Sequence, residues 1–198
     1  THRQLERSET LQQKLPVLVE MERNVANLRV REVGTIGGNL TFAEPHADPG
    51  TLLVALDAVV VAQKTEGSRE IPMTKFFVDA YDVALEEDEL LTEVVVPVPA
   101  QNAAVRYRKF GYLERPSAGV ALHVIADEAR ESVQDVRISV GCVGPKAMRV
   151  EKPRPARDMA VVWRSSSQAR THREQMMHIW GSNSRKGLWV SGGGWSCW

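Results

Sequence analysis

Cysteine is nearly absent from this 198-residue chain: only Cys142 and Cys197 occur, far apart in sequence. Two thiols so placed do not make a disulfide framework, and alone they cannot ligate zinc or an iron–sulfur cluster. They read as free thiols in a reducing, cytoplasmic compartment. Net charge is absent too, because 25 Lys and Arg balance 25 Asp and Glu. That balance excludes nucleic acid as the main partner, which requires a concentrated basic face. No apolar run approaches the roughly 20 residues needed to cross a bilayer, so no membrane span is expected. The opening Thr-His-Arg-Gln-Leu-Glu-Arg-Ser-Glu is polar and charged and does not read as a secretory signal. A self-sufficient active site is also missing. Ser182 and Ser191 lack a nucleophile-elbow context, and His46 with Asp48 finds no third His, Cys or carboxylate in a ligand pattern. No catalytic residue and no metal ligand is assigned.

Tryptophan is missing from most of the chain: Trp163, Trp180, Trp189, Trp195 and Trp198 all fall in the last 36 residues. From Ala160 onward five basic side chains (Arg164, Arg170, Arg173, Arg185, Lys186) meet one acidic one, Glu174. This stretch therefore carries +4 and the rest of the chain −4. Such a shift marks a boundary. Residues 153–198 form an atypical tail, Pro-rich and basic at first, then without a sustained helical stripe, ending in Gly-Gly-Gly-Trp-Ser-Cys-Trp. A Gly/Ser linker explains part of it; a reading frame disturbed after about residue 153 explains more. The tail is expected to be poorly ordered, with proteolysis first after Arg164, Arg170 or Arg173.

What the chain does have is Val33-Gly34-Thr35-Ile36-Gly37-Gly38-Asn39-Leu40, followed by Pro45-His46-Ala47-Asp48-Pro49. Three glycines in five positions allow a sharp turn and a close approach of backbone N–H groups to a ligand. Successive inward amides suit an anion such as a diphosphate. Asn39 adds a side-chain amide, and Asp48 a carboxylate able to accept from a sugar hydroxyl. The same residues also read as a plain tight turn between apolar segments.

Periodicity places these residues in an α+β chain. Leu11, Leu15, Leu18, Val25 and Leu28 form a core-facing helical stripe over residues 1–28, with Pro16 in a first turn. Pro49 to Leu56 reads as a short helix, and Ala58 to Ala62 as a buried strand. Lys64 to Ser68 reads as a hairpin turn into Arg69-Glu70-Ile71. Phe76, Phe77 and Tyr81 read as an aromatic core cluster, and Glu86-Glu87-Asp88-Glu89 as a solvated turn or part of a subunit interface. Leu90–Val96, Val105–Phe110, Gly119–Ala126 and Val136–Val143 follow as strands of an antiparallel sheet.

Taken in order, several segments resemble one family. They are Val30-Arg31, the glycine run, Pro45 to Pro49, Thr51 to Leu56, Glu89 to Val94, Tyr107-Arg-Lys-Phe-Gly111, Arg115-Pro-Ser-Ala-Gly-Val-Ala121 and Gly141-Cys-Val-Gly-Pro145. The chain is similar, over about residues 1–150, to the FAD-binding medium subunit of molybdenum hydroxylases, the xanthine dehydrogenase and carbon monoxide dehydrogenase flavoprotein family. The resemblance implies that residues 1–100 are the second subdomain of a PCMH-type FAD-binding domain. Residues 103–152 are then part of the flavoprotein C-terminal domain, built on a three-stranded antiparallel sheet. The family's first flavin subdomain, with its Ala-Gly-Gly-Thr loop, has no counterpart, so this chain alone is expected to bind FAD weakly or not at all and to self-associate.

The resemblance also implies roles. Thr35, Ile36, Gly37 and Gly38 cradle the diphosphate of FAD, with Asn39 beside them, and Asp48 contacts the sugar region. Leu91 and Lys109 line the isoalloxazine side, where a lysine stabilises negative charge on the reduced ring and raises its potential. Lys109 also reads as a solvated residue on a strand face. The implied activity is that of an electron-transfer subunit in a multi-subunit oxidoreductase. Its partners are a small subunit with two [2Fe-2S] clusters, a large molybdopterin subunit and an acceptor such as NAD. Alternatives are another flavoenzyme of the same fold, such as the reductase of peptidoglycan-precursor synthesis, and a non-catalytic remnant that binds no flavin.

Overall fold

The computed structural model describes residues 1–112, 114–151, 159–161 and 179–181. The chain opens with four short helices, one of them starting at Pro16 as expected: α1 (His2–Arg7), α2 (Glu9–Lys14), α3 (Pro16–Glu22) and α4 (Leu28–Val33). Local chemistry sets each break. Thr1 and Gln4 form a capping box, Ser8 caps α2 by accepting from the Leu11 N–H, and Asn27 caps α4 by accepting from Val30. Pro16 occupies the first turn of α3, where a missing N–H is harmless. Leu15, Leu18 and Val25 enter the core as their spacing requires. Leu28 does not: Ala26 adopts φ 41° and redirects the chain, leaving Leu28 49% exposed at the start of α4.

Two further helices follow, α5 (Ile36–Phe42) and α6 (Asp48–Ala55). Every residue of α6 is buried, which explains why its sequence is apolar all round instead of striped. Leu52, Ala55 and Leu56 point into a core shared with α3 and the second sheet, through Leu18, Met21, Val105 and Tyr107. Leu53 and Val54 point into another core with Leu40, Val60, Ile71, Met73 and Phe76. α6 is thus the partition on which both halves of the fold pack.

Strands β1 (Val59–Lys64) and β2 (Gly67–Pro72) form the expected hairpin, with Lys64 opposite Gly67. A short helix, α7 (Met73–Phe76), leads into the small β3 (Phe77–Asp79) and β4 (Asp82–Val83) pair. β5 (Leu90–Val95) does not join the later strands, as its place in the sequence suggested. It pairs antiparallel with β1, giving the order β2-β1-β5. The second sheet has the order β6-β7-β8-β9, from β6 (Ala103–Phe110), β7 (Ala118–Ala126), β8 (Val133–Gly141) and the two-residue β9 (Met148–Arg149). Three long strands carry it, and β9 adds a short edge to the expected three. All pairings are antiparallel, and Tyr107, Ala121 and Ser139 align across the sheet on the face toward α6.

Two sequence expectations about side chains change. Phe76 and Phe77 pack edge to face in the core, with centroids 5.3 Å apart, but Tyr81 leaves them. It sits at φ 58°, 57% exposed, edge-on to Phe42 instead. Glu89 is likewise no solvated turn residue, since its side chain is 1% exposed and bound by Arg69 through Nε and Nη2. In the tail, β10 (Met159–Val161) and β11 (Ile179–Gly181) pair antiparallel. The expected disorder and altered frame of the remaining tail lie outside the described residues.

Candidate functional site

The glycine run is the start of a helix, not an open turn. Thr35 caps α5, its Oγ1 accepting from the Gly38 N–H at 3.0 Å, while the Asn39 N–H bonds to the Thr35 carbonyl. The Ile36 and Gly37 N–H groups belong to the first turn and have no acceptor within the helix. Neither Gly37 nor Gly38 uses a positive φ. What the missing Cβ atoms provide is space. At Gly38 a Cβ would stand 3.0 Å from Thr35 Oγ1, against the capping hydroxyl. At Gly37 the nearest atom to such a Cβ would be Leu91 Cδ2 at 3.7 Å, an ordinary contact. Glycine in a helix costs about 0.5–1 kcal/mol relative to alanine. No neighbouring protein atom requires a glycine at position 37. Leu91 on β5 forms the side wall of this helix start.

Asp48, the first residue of α6, lies 4% exposed between two residues of one face of β6. The Tyr107 hydroxyl donates to Oδ1 at 2.6 Å and Lys109 Nζ donates to Oδ2 at 3.0 Å. Nζ also donates to the Asn24 carbonyl at 2.6 Å, tying the strand to the end of α3. Lys109 is therefore not a freely solvated residue: its side chain is 21% exposed and its charge faces a carboxylate. Burial, reinforced by the charge of Asp48, drives the Tyr107 phenol far above its ordinary range, so it stays a donor. Burial likewise pushes the Cys142 thiol up to about 11, making it a packing group rather than a nucleophile.

Of the residues singled out in the sequence, Thr35, Ile36, Gly37, Gly38 and Leu91 come together around α5, and Asp48 with Lys109 forms a second group. Asn39 turns away from both. Its Oδ1 is buried without a hydrogen-bond partner, and the residue lines a crevice with Ala43, Gly50, Phe77 and Lys146. His46 meets Glu44 at 3.3 Å, and no metal-holding group of three His, Cys, Asp or Glu occurs among the described residues. No helix of the described residues is long and apolar enough to cross a membrane. Tyr107 was missed, although alternation in Val105-x-Tyr107-x-Lys109 places it on the face of Lys109. The His2–Glu22 pair, bonded at 2.7 Å and wholly buried, gave no sequence signal, since twenty positions separate its members. His2 supports the glycine run from behind. Its N–H donates to the Gly34 carbonyl, and a Cβ at Gly34 would meet its ring at 3.3 Å.

Known proteins share this architecture. Residues 1–99 match the family described as the FAD binding domain in molybdopterin dehydrogenase. The carbon monoxide dehydrogenase medium chain of Hydrogenophaga pseudoflava is 33% identical over 144 residues, covering 73% of this chain and 50% of its own length. The 6-hydroxypseudooxynicotine dehydrogenase complex subunit alpha of Paenarthrobacter nicotinovorans is 32% identical over 152 residues, covering 76% and 51%. Among solved structures, carbon monoxide dehydrogenase from Hydrogenophaga pseudoflava superposes with a TM-score of 0.72 at 32% identity, covering 76% of this chain and 52% of that one. The chain spans about half the length of the curated relatives it matches. The α+β fold with its antiparallel sheets and these likenesses agree, and the chain belongs to the family described as the FAD binding domain in molybdopterin dehydrogenase.

Proposed function

We propose that this chain forms one wall of the FAD site in the medium subunit of a molybdenum hydroxylase. The observation that carries the reading is the start of α5, where two glycines leave first-turn N–H groups open to an anion and no neighbouring atom demands a glycine at position 37. The Ile36 and Gly37 amides, with the Thr35 hydroxyl as a further donor, would hold the diphosphate. Gly38 keeps the cap intact and the approach clear, while Asn39 contributes to α5 from the crevice side, away from the diphosphate. Asp48 would accept from a sugar hydroxyl, and Leu91 and Lys109 would line the isoalloxazine side. Because Lys109 is already paired with Asp48, it offers the ring a partly neutralised charge.

FAD, when bound, supplies redox chemistry between [2Fe-2S] clusters on a small subunit and an acceptor such as NAD, with substrate oxidised on a large molybdopterin subunit. The protein's contribution is to bind, orient and shield; no side chain here is asked to act as nucleophile or base. On this reading residues 1–100 form the later part of the FAD-binding domain, and residues 103–152 part of the flavoprotein C-terminal domain. The assembly works in the cytoplasm. The test is to isolate the protein with its native partners and measure FAD, iron and molybdenum content, unsubstituted and with Gly38→Val. Flavin that remains with the partners and is lost in the variant supports the reading. An assembly free of flavin, or a variant that keeps it fully, contradicts it.

A further inference from the structure

We infer that Tyr107 is a positioning residue for the cofactor site, its hydroxyl fixing the Asp48 carboxylate in the orientation that presents a free lone pair to a sugar hydroxyl. The inference rests on the role given to Asp48 above and deepens it.

A carboxylate turns easily about its last torsion, which is broad and two-fold. At Asp48 that freedom is removed from both sides: Tyr107 holds Oδ1 at 2.6 Å and Lys109 holds Oδ2 at 3.0 Å. Each carboxylate oxygen has about two acceptor sites, so one bond to each leaves capacity for a ligand. Lysine alone fixes orientation poorly, being a point charge on a flexible stem. A phenol on a buried ring is directional. The Tyr107 ring is anchored in the core with Val17, Leu18, Leu52 and Ala121, so its hydroxyl arrives at a set place.

The neighbouring strand is built around that hydroxyl. Gly119 pairs with Lys109 across β6 and β7, and a Cβ there would come 2.9 Å from Tyr107 Oη and 3.6 Å from Cys142 Sγ. An alanine would push the phenol off its line to Asp48. Cys142, at φ 67° where β8 ends, closes the other side as a buried thiol. A core position requiring only apolar bulk would be served by phenylalanine. Tyrosine here brings a polar atom into the interior, and Asp48 is the partner that satisfies it.

A double-mutant cycle on FAD affinity tests the inference, using the FAD-loaded protein with its native partners. FAD dissociation constants are measured for the unsubstituted protein, Tyr107→Phe, Asp48→Ala and the double variant, with the thermal midpoint of each recorded to confirm folding. Tyr107→Phe should weaken FAD about tenfold, the scale of one hydrogen bond to a charged group. The double variant should bind no more weakly than Asp48→Ala alone, because the hydroxyl acts only through that carboxylate. Gly119→Ala should reproduce the Tyr107→Phe loss. A Tyr107→Phe effect that persists undiminished without Asp48 would overturn the positioning role. So would unchanged FAD affinity in Tyr107→Phe while Asp48→Ala weakens binding. If Asp48→Ala leaves affinity unchanged, the role of Asp48 itself fails and the inference falls with it.

Discussion

One carbon atom decides what Gly38 can do. A side chain there would crowd Thr35 Oγ1, 3.0 Å from its Cβ, and disturb the cap on α5. Gly38→Val is expected to lower stability by about 1 kcal/mol through the cap and to remove FAD from the loaded protein, measured by released flavin absorbance. Asp48→Ala should be milder toward FAD, a loss of about 1–3 kcal/mol in affinity by titration. Flavin stripped by Asp48→Ala but kept by Gly38→Val would reverse the roles assigned to the two groups. Glu89 makes a different prediction. Its hydrogen bonds from Arg69 and from the Glu86 N–H hold its carboxyl down at about 2, against about 4.3 in an unfolded chain. A depressed folded pKa gives stability that is present above about pH 4.3 and is lost as pH falls toward 2. The thermal midpoint of Glu89→Gln should therefore lie below that of the unsubstituted chain at about pH 6, and the difference should close near pH 2. A constant difference across that range would mean the pair does not titrate with folding. The sequence showed Glu89 only as one of four acidic residues, because nothing local reveals an arginine twenty positions away that buries it.

Helices and strands were legible where one local rule governed them. Pro49 to Leu56 read as a helix and is one, and the β1–β2 hairpin follows from alternation around a short polar turn. The opening 28 residues read as helical with a new helix at Pro16, which α3 bears out, but the further breaks were not legible, because the caps at Ser8 and Asn27 look like ordinary polar positions. β5 read as the first strand of the second sheet because it precedes β6. Its pairing with β1 is non-local, and of its residues only Leu91 and Val94 are half-buried, against the core that holds Leu40 and Val60. The glycine run read as a turn and is the start of a helix. Glycine signals a turn, and only the Thr35 cap makes this one a helix start. α6 carries both cores, so it sets the sensitivity of the fold. Leu53→Ala removes a side chain with no exposed surface and should destabilise the protein by about 2–5 kcal/mol in urea unfolding. Ser8→Ala, which removes only the cap of the peripheral α2, should cost about 1 kcal/mol. Equal losses from the two would show that α6 is not the partition holding both halves.

At the scale of the whole molecule, apolar surface is left in view that neither core absorbs. Val33, Phe42, Leu90, Val98, Phe110 and Tyr112 are each at least 60% exposed, and Phe42 meets the exposed Tyr81 edge-on. Several of them neighbour, in sequence, residues assigned to the cofactor. Val33 precedes the glycine run, Phe42 ends α5, Leu90 precedes Leu91, and Phe110 follows Lys109. Exposed apolar side chains in this number favour association. Zero formal net charge removes the repulsion that would oppose this near neutral pH. The purified 198-residue chain is therefore expected to self-associate, with a sedimentation-velocity mass that rises with concentration and an effect largest near its sequence pI of about 6.9. Replacing Phe42 and Phe110 by serine should reduce the association without lowering the thermal midpoint, since both side chains lie outside the cores. A chain that stays monomeric at high concentration, or a double variant that associates as strongly as the original, would show that this surface is inert.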